Sequence, residues 1–173
     1  MKKPFVLWNW MFLCLLLYGM CAAAENERGI AVVPKAEDDG AEKYAFIVAV
    51  NNYDELNDLH CTVSDAYGLK EQLLKLGFEE ENIIILTTEE NVVNRPTKKK
   101  ILSCYEDLLG CVEEGDWVVV YLSGHGVQIP GKEGSWFCPR EAKRENLEET
   151  TVSIDDMLKK LSETNAGFRW MIV

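Results

Sequence analysis

The sequence predicts an α/β fold in which a mainly parallel sheet carries helices on both faces. From Tyr44 onward, four short apolar segments alternate with three longer segments whose apolar residues recur with helical spacing. The apolar segments are continuous and of strand length, as is typical of strands that are buried on both faces. Strands that alternate with helices form βαβ units, in which parallel strands are joined by helices that cover the sheet.

The first predicted strand, residues 44–51, reads YAFIVAVN and is followed by a polar loop. A helix is predicted over residues 62–76, because apolar residues recur there on one helical face. Thr62 and Asp65 have the spacing of a capping box, with Asp in place of Glu, and Gly77 provides the stop. This strand and helix form the first half of a βαβ unit.

The same pattern then repeats. The second strand is predicted at residues 82–87, and the helix after it opens at Pro96 and Thr97 and is expected to end at Gly115. The third strand, residues 117–122, reads WVVVYL and is the most apolar and β-branched of the set. The repeat therefore places a second and a third strand in the same parallel sheet.

A third helix and a fourth strand complete the pattern. Residues 153–164 are predicted to be helical, with Ser153 as the N-cap. Asp155 and Asp156 lie in the first turn, where negative charge interacts favourably with the helix dipole. The fourth strand, FRWMIV over residues 168–173, ends with the sequence. No helix follows it, so the fold is expected to be incomplete at its C-terminus, with part of the sheet uncovered.

The N-terminal residues have the layout of a secretory signal peptide. Lys2 and Lys3 precede an apolar stretch of about 16 residues, which ends near three consecutive alanines. That stretch is shorter than the roughly 20 residues that span a bilayer. We therefore predict a cleaved signal over residues 1–24, a leader over 25–42 and one domain over 43–173. The mature protein is expected to be exported, to the periplasm or the medium, without a stable membrane span.

The charge of the chain excludes some partners. It carries 29 acidic and 18 basic residues, a formal net charge of −11. Nucleic acids and anionic membranes are bound through clustered cations, so neither is an expected partner. No Cys-x-x-Cys or His-x-x-x-His spacing occurs, and no metal site or cofactor is predicted. Acidic residues are frequent in residues 141–156, but they do not have the spacing of a calcium-binding loop.

Four cysteines follow the predicted signal. Cys104 and Cys111 lie seven residues apart on one predicted helix, which separates their Cα atoms by about 10.5 Å along the axis. A disulfide requires less than about 7 Å between Cα atoms, so these two are not expected to pair. Their spacing instead predicts a buried stripe on an amphipathic helix.

One of the two histidines, His125, lies between two glycines directly after the third strand, in YLSGHGVQIPGK. Ligands of parallel sheets bind beyond the carboxyl ends of the strands, and this loop leaves from that edge. The loop is not a phosphate-binding loop, because Glu133 replaces the required Ser or Thr and Pro130 removes an N–H donor. Ser123 and His125 do not form a nucleophile elbow either.

Two interpretations of this loop remain open on spacing alone. In one, His125 activates a cysteine thiol carried by a neighbouring strand, and the Gly126 amide faces the developing oxyanion. In the other, the glycines form a turn and the histidine is merely exposed. A third, weaker hypothesis is a hydrolase in which His125 binds a metal.

Several segments together resemble the caspase-like cysteine peptidase family, and most of all its bacterial metacaspase-like members. The matching segments, in the family's order and spacing, are YAFIVAVNNYDE, LHCTVSDAYGL, NIIILT, RPTKKKIL, GDWVVVYLSGHGVQ and WFCPREA. The resemblance covers roughly residues 43–173. It implies a three-layer caspase-like α/β fold and cysteine endopeptidase activity on proteins or peptides.

The resemblance also implies residue roles. His125 matches the catalytic histidine, and Gly126 matches the residue whose amide contributes to the oxyanion hole. Asp65 and Ser123 match residues that line the primary specificity pocket of metacaspases, which prefer Arg or Lys before the scissile bond. A buried carboxylate at Asp65 would give an Arg guanidinium a charge-assisted partner.

The nucleophile of the family follows the fourth strand, within an Asp-x-Cys element. Here the sequence stops at Val173, and none of Cys61, Cys104, Cys111 and Cys138 matches that element. The sequence thus predicts a caspase-like domain truncated before its thiol, which would lie just past Val173. As given, the chain is expected to hydrolyse no peptide. The alternative is a non-catalytic caspase-like module that binds a partner or peptide in the same crevice.

Overall fold

A parallel sheet of four strands forms the centre of the computed structural model, which describes residues 40–88 and 94–173. Its strands are β1 (Lys43–Ala49), β2 (Ile83–Thr87), β3 (Trp117–Ser123) and β7 (Phe168–Ile172). The helices are α1 (Thr62–Lys75), α2 (Lys98–Leu109), α3 (Leu147–Thr150) and α4 (Ile154–Ser162). A second sheet contains three short strands, β4 (Gly126–Val127), β5 (Trp136–Phe137) and β6 (Val152–Ser153).

The strand order of the main sheet is β2-β1-β3-β7, and every neighbouring pair is parallel. Ala49 at the end of β1 is in register with both Thr87 of β2 and Ser123 of β3. These three strands therefore end at the same level. The loops that follow β1 and β3 leave from one carboxyl edge, where His125 was expected.

Helices cover both faces of the sheet, as predicted. On one face, Phe46, Val48 and their neighbours on β3 pack with α2 and α4 in one buried cluster. On the other face, Ala45, Ile47 and Val119 pack against α1. The Tyr105 hydroxyl donates to the Met157 carbonyl at 2.8 Å and ties α2 to α4. Alternate residues of the buried strands thus supply two separate cores.

The edge strand β7 is partly uncovered in this part of the chain. Trp170 lies opposite Val119, on the α1 face of the sheet, and its side chain is 53% exposed. Phe168 is also exposed and packs against the Trp117 ring, with 4.9 Å between the ring centroids. Apolar area that α1 does not reach therefore remains open to solvent along this strand.

The start of α1 differs from the predicted capping box. Its N-cap is Cys61, which makes no side-chain capping bond. The Thr62 hydroxyl donates instead to the Asn51 side-chain oxygen at 2.6 Å, and the Val63 N–H points to the same oxygen. Asn51 is buried at the end of β1, so its amide oxygen needs donors, and α1 supplies them. The predicted stop at Gly77 is confirmed by its φ of +83°.

Helix α2 ends earlier than the predicted Gly115. The buried Asp116 carboxylate accepts the N–H groups of Glu113 and Glu42, at 2.7 and 2.9 Å, and so organises a turn before β3. Cys111 consequently lies beyond the helix and is exposed, whereas Cys104 is half-buried. The predicted buried stripe is therefore wrong for Cys111. All four cysteines in the described part of the chain are free thiols.

The antiparallel sheet of β4, β5 and β6 was not predicted from the sequence, because two-residue strands leave no periodic pattern. It places Gly126 opposite Phe137 and Val127 opposite Trp136. Phe137 and Val152 are buried in the cluster that includes α2 and α4. Ser153, predicted as the next N-cap, is confirmed, because its hydroxyl accepts the Asp156 N–H at 3.1 Å.

The predicted signal peptide, residues 1–24, and most of the leader, residues 25–42, lie outside the described residues. Within residues 40–88 and 94–173, no helix has the length and apolar character that would let it cross a bilayer. The expected export of the protein stays a prediction.

Candidate active site

The loop after β3 fits closely against the core at Gly124. A Cβ atom at this position would lie 2.7 Å from the Tyr53 hydroxyl oxygen and 3.0 Å from the Phe137 ring. Such distances are too short for any side chain, so the first glycine of the SGHG segment is required by packing. This contact brings the next residue, His125, onto the Tyr53 side chain.

The backbone of His125 is held on both sides. Its N–H donates to the Tyr53 hydroxyl at 2.7 Å, and its carbonyl accepts the Cys138 N–H at 2.9 Å. The Tyr53 and His125 rings also pack, with centroids 4.8 Å apart. Burial raises the pKa of Tyr53 to about 12, so its phenol stays neutral at physiological pH.

The imidazole of His125 is oriented by a backbone group. Its Nε2 lies 2.8 Å from the Asn57 carbonyl oxygen. A carbonyl can only accept, so Nε2 carries the hydrogen, and in the neutral ring Nδ1 keeps the free lone pair. In that neutral tautomer, Nδ1 is the ring nitrogen that can accept a proton.

The loop that carries Asn57 is closed by Asp58. The Asp58 carboxylate accepts the Tyr53 N–H at 2.9 Å and the Asn52 side-chain amide at 3.2 Å. The Tyr53 bond, followed by the Asn52 bond, lowers the pKa of Asp58. The Leu59 N–H then returns to the Asn51 carbonyl at 2.7 Å. These bonds fix the turn that presents the Asn57 carbonyl to His125.

Two ion pairs join this loop to the segment after β5. Arg140 Nε lies 3.0 Å from the Asp54 carboxylate, and Lys143 Nζ lies 3.2 Å from the Glu55 carboxylate. The Asp54 N–H also donates to the Arg140 carbonyl at 3.0 Å. The two loops around His125 are thus connected to each other as well as to the sheet.

The amide of Gly126 is directed away from the small sheet. The bond from the Cys138 N–H to the His125 carbonyl belongs to the β4–β5 ladder, and backbone groups alternate in direction along an antiparallel strand. The N–H of the next residue, Gly126, therefore points away from β5. Gly126 is exposed, so its amide is accessible to an anionic atom near His125.

Asp65 and Ser123 lie on the opposite side of the edge from the Tyr53 contact. Ser123 follows Val119 and Tyr121 on the strand face that packs against α1, and Asp65 lies in the first turn of α1. The Asp65 side chain is exposed, so the expected buried carboxylate is not found. In the first turn of α1, Val63 and Ala66 face the core, and Asp65 lies on the exposed side of the helix. Its role in substrate binding stays a prediction.

Cys138 lies beside the His125 backbone but is not suited to act as a nucleophile. Cys138 contributes its N–H to the ladder, but its side chain is fully buried. Burial raises the pKa of this thiol to about 11, which keeps it protonated and unreactive. In residues 40–88 and 94–173, no three His, Cys, Asp or Glu side chains are grouped so that they could hold a metal ion.

A family model described as the caspase domain matches residues 42–173 of this chain. The chain belongs to the caspase family of peptidases. Metacaspase-4 of Arabidopsis thaliana is 32% identical over 93 residues, which are 53% of this chain and 22% of that protein. Metacaspase-1 of Eremothecium gossypii is 28% identical over 92 residues, 52% of this chain and 20% of that protein. The chain thus spans about a fifth of the length of these relatives.

A solved structure of a protein from Geobacter sulfurreducens is similar in fold. It superposes with a TM-score of 0.58 at 18% sequence identity, over 75% of this chain and 48% of that chain. At this identity the likeness concerns the fold alone. The family assignment and the caspase-like α/β fold expected from the resemblance are both confirmed.

Two groups that hold His125 in place were not predicted from the sequence. Asn57 acts through its backbone carbonyl, so its residue type carries no signal. Tyr53 could have been found, because it is a lone aromatic residue in the polar segment NNYDELND directly after a strand. An apolar ring in such a loop indicates packing against the neighbouring loop, here the one that carries His125.

Proposed function

We propose that this caspase-family domain serves a cysteine endopeptidase that cleaves proteins or peptides after Arg or Lys. The observation that carries the proposal is the contact between His125 Nε2 and the Asn57 carbonyl, which leaves Nδ1 free at the carboxyl edge of the sheet. Beside it lies the outward-facing Gly126 amide. A general base and an oxyanion donor side by side are the parts that acyl transfer requires.

In the proposed reaction, Nδ1 of His125 takes the proton from a cysteine thiol, and the thiolate attacks the scissile carbonyl carbon. The carbonyl electrons move to oxygen, where the Gly126 N–H stabilises the negative charge. As the C–N bond breaks, the imidazolium returns its proton to the leaving amine. Water, deprotonated by Nδ1, then attacks the thioester and releases the thiolate. We propose that the thiol comes from a residue other than the four described cysteines.

Specificity for a basic residue is proposed to come from Asp65 and Ser123. Both lie on the α1 side of the edge, and the Asp65 carboxylate is exposed and makes no hydrogen bond or ion pair with another described residue. A substrate guanidinium or ammonium would pair with this carboxylate. The net charge of −11 also favours the approach of basic substrates through long-range attraction.

Reading the coding sequence past Val173 and assaying the encoded protein tests the proposal. An Asp-x-Cys element shortly after Val173 is expected, and the protein that includes it should release a fluorophore from Arg- and Lys-terminated peptides. His125→Ala should abolish this activity, and Asp65→Asn should reduce it for basic peptides. The 173-residue chain should be inactive. Activity of that chain which His125→Ala removes would show that its nucleophile is already present.

A second candidate function is a non-catalytic module that binds a peptide in the same crevice. It is favoured by one observation: no cysteine within residues 43–173 stands in an Asp-x-Cys element. A stop codon directly after Val173, together with binding of arginyl peptides that Asp65→Asn weakens, would support the module over the peptidase.

A further inference from the structure

A hollow of about 240 Å³ opens beside His125. Its lining residues are Leu56, Asn57, His125, Gly126, Val127, Arg144 and Leu147. Leu56 and Val127 pack against the core cluster that includes α2 and α4. Asp65 is part of α1, and Ser123 follows Val119 and Tyr121 on the strand face that packs against α1. His125 therefore stands between the proposed specificity residues and this hollow.

The chemistry of peptide cleavage indicates which part of a peptide substrate would lie in the hollow. The histidine that returns its proton to the leaving amine must touch the nitrogen of the residue after the scissile bond. Residues before the scissile bond extend from His125 toward Asp65 and Ser123. The residues after it must extend in the other direction, past the imidazole, which leads into the hollow.

The lining of the hollow has two chemical characters. Leu56, Val127 and Leu147 are half-buried and form an apolar wall. Arg144 is exposed at the rim and makes no ion pair within residues 40–88 and 94–173. Neighbouring cations are already neutralised, since Lys132 pairs with Glu148 and Lys143 pairs with Glu55.

Two opposite charges thus flank His125. The Asp65 carboxylate lies on the α1 side and the Arg144 guanidinium lies on the other side, at the hollow. A guanidinium binds a carboxylate through two parallel hydrogen bonds, which gives direction as well as affinity. A peptide with a cation before the scissile bond and an anion after it matches this order of charges in one orientation only.

We propose that the hollow binds the leaving side of the peptide, with an apolar side chain against Leu56, Val127 and Leu147 and an acidic side chain on Arg144. The assignment rests on the proposed function, because it uses the direction of the peptide across His125. It adds a preference for an apolar and then an acidic residue directly after the basic one.

Equilibrium binding to the 173-residue chain tests the hollow, with mass spectrometry to verify that the peptides stay intact. The probes are two blocked peptides, Ala-Ala-Arg-Leu-Glu-amide and Ala-Ala-Arg-Leu-Gln-amide, which differ only in the acid. We expect the Glu peptide to bind about fivefold more tightly, the size of an exposed charge pair. Arg144→Gln should remove this preference without changing the affinity of the Gln peptide.

Charge reversal provides the sharper measurement. Arg144→Glu should weaken the binding of the Glu peptide and should favour a peptide in which Lys replaces that Glu. Lys143→Gln is the matched control, because this neighbouring cation pairs with Glu55 and does not line the hollow. It should leave the preference for Glu over Gln unchanged. An unchanged preference in Arg144→Gln, or binding of neither peptide, would overturn the proposal.

Asp65→Asn separates this inference from the proposed function. It should weaken both peptides equally if Asp65 binds the arginine. If Asp65→Asn has no effect while Arg144→Gln still removes the preference for Glu, the proposed role of Asp65 is wrong and the proposed role of the hollow is supported. If Asp65→Asn weakens the binding of both peptides but the Arg144 variants change nothing, the proposed role of the hollow is wrong and the role of Asp65 is supported.

Discussion

The two sides of the carboxyl edge are built in contrasting ways. On the His125 side, the ring, the N–H and the carbonyl each have a partner, in Asn57, Tyr53 and Cys138. On the α1 side, the Asp65 carboxylate is exposed and free of partners among the described residues. This contrast suits the proposed roles, because a group that moves protons needs a fixed position, whereas a group that binds a substrate charge must stay unpaired until the substrate arrives.

Adding a side chain at Gly124, on the His125 side, should lower the stability of the protein most. In Gly124→Ala, the new Cβ would overlap the Tyr53 hydroxyl and the Phe137 ring, so the loop must shift. We expect a loss of about 2–3 kcal/mol in the free energy of unfolding, as for other overpacked sites. Urea denaturation measures it.

Gly126→Ala is the matched control for that experiment. The nearest atom to a Cβ at this position is the Trp136 carbonyl oxygen at 3.9 Å, an ordinary contact. Its unfolding midpoint should stay close to that of the parent chain. Equal losses in the two variants would mean that glycine flexibility, and not the Tyr53 contact, stabilises the loop.

Removing the Tyr53 hydroxyl should have the next largest effect. Tyr53→Phe keeps the ring against His125 but leaves the His125 N–H without its acceptor. The expected cost is about 1–2 kcal/mol in the free energy of unfolding. The chain has two histidines, so the ring signals of His125 in NMR spectra should shift while those of His60 stay in place. Unmoved His125 signals would contradict a positioning role for Tyr53.

The buried thiol of Cys138 predicts a loss of stability at alkaline pH. Its pKa is raised from 9.0 to about 11 by burial, so the folded chain keeps a proton that the unfolded chain releases. The stability that this thiol contributes is complete below about pH 9 and is lost as the pH rises toward 11. Unfolding at several pH values measures this, and Cys138→Ala should show a smaller loss between pH 9 and 11. An equal loss in both would assign the effect to other groups, such as Tyr53.

The contrast between the two sides also explains what the sequence could reveal. The strand before His125, the SGHG segment and the N-cap at Ser153 are local patterns, and all were predictable. The Asn57 carbonyl has no residue-type signature, and the small sheet is too short for periodicity. Where the prediction was wrong, a buried polar side chain from a distant part of the sequence had replaced the interaction that the local pattern predicted.

Two such groups can be named. Asn51, at the end of β1, takes the hydroxyl of Thr62 and replaces the predicted capping box. Asp116, before β3, accepts the Glu113 N–H. This bond stabilises a turn after α2, where the helix was predicted to continue. Both are polar side chains buried by tertiary contacts, and single-sequence patterns do not show which polar residues the fold will bury.

A substitution at Asp65, on the α1 side of the edge, should change the stability less than the substitutions on the His125 side. Asp65→Asn removes a first-turn charge that has no partner among the described residues, so the free energy of unfolding should fall by less than about 1 kcal/mol. Glu71→Gln, at an exposed carboxylate further along α1, is the matched control for the loss of charge. Binding of an arginyl peptide, followed by calorimetry, should weaken only in Asp65→Asn. A large loss of stability without any loss of binding would make Asp65 a structural residue and would remove the proposed difference between the two sides of the edge.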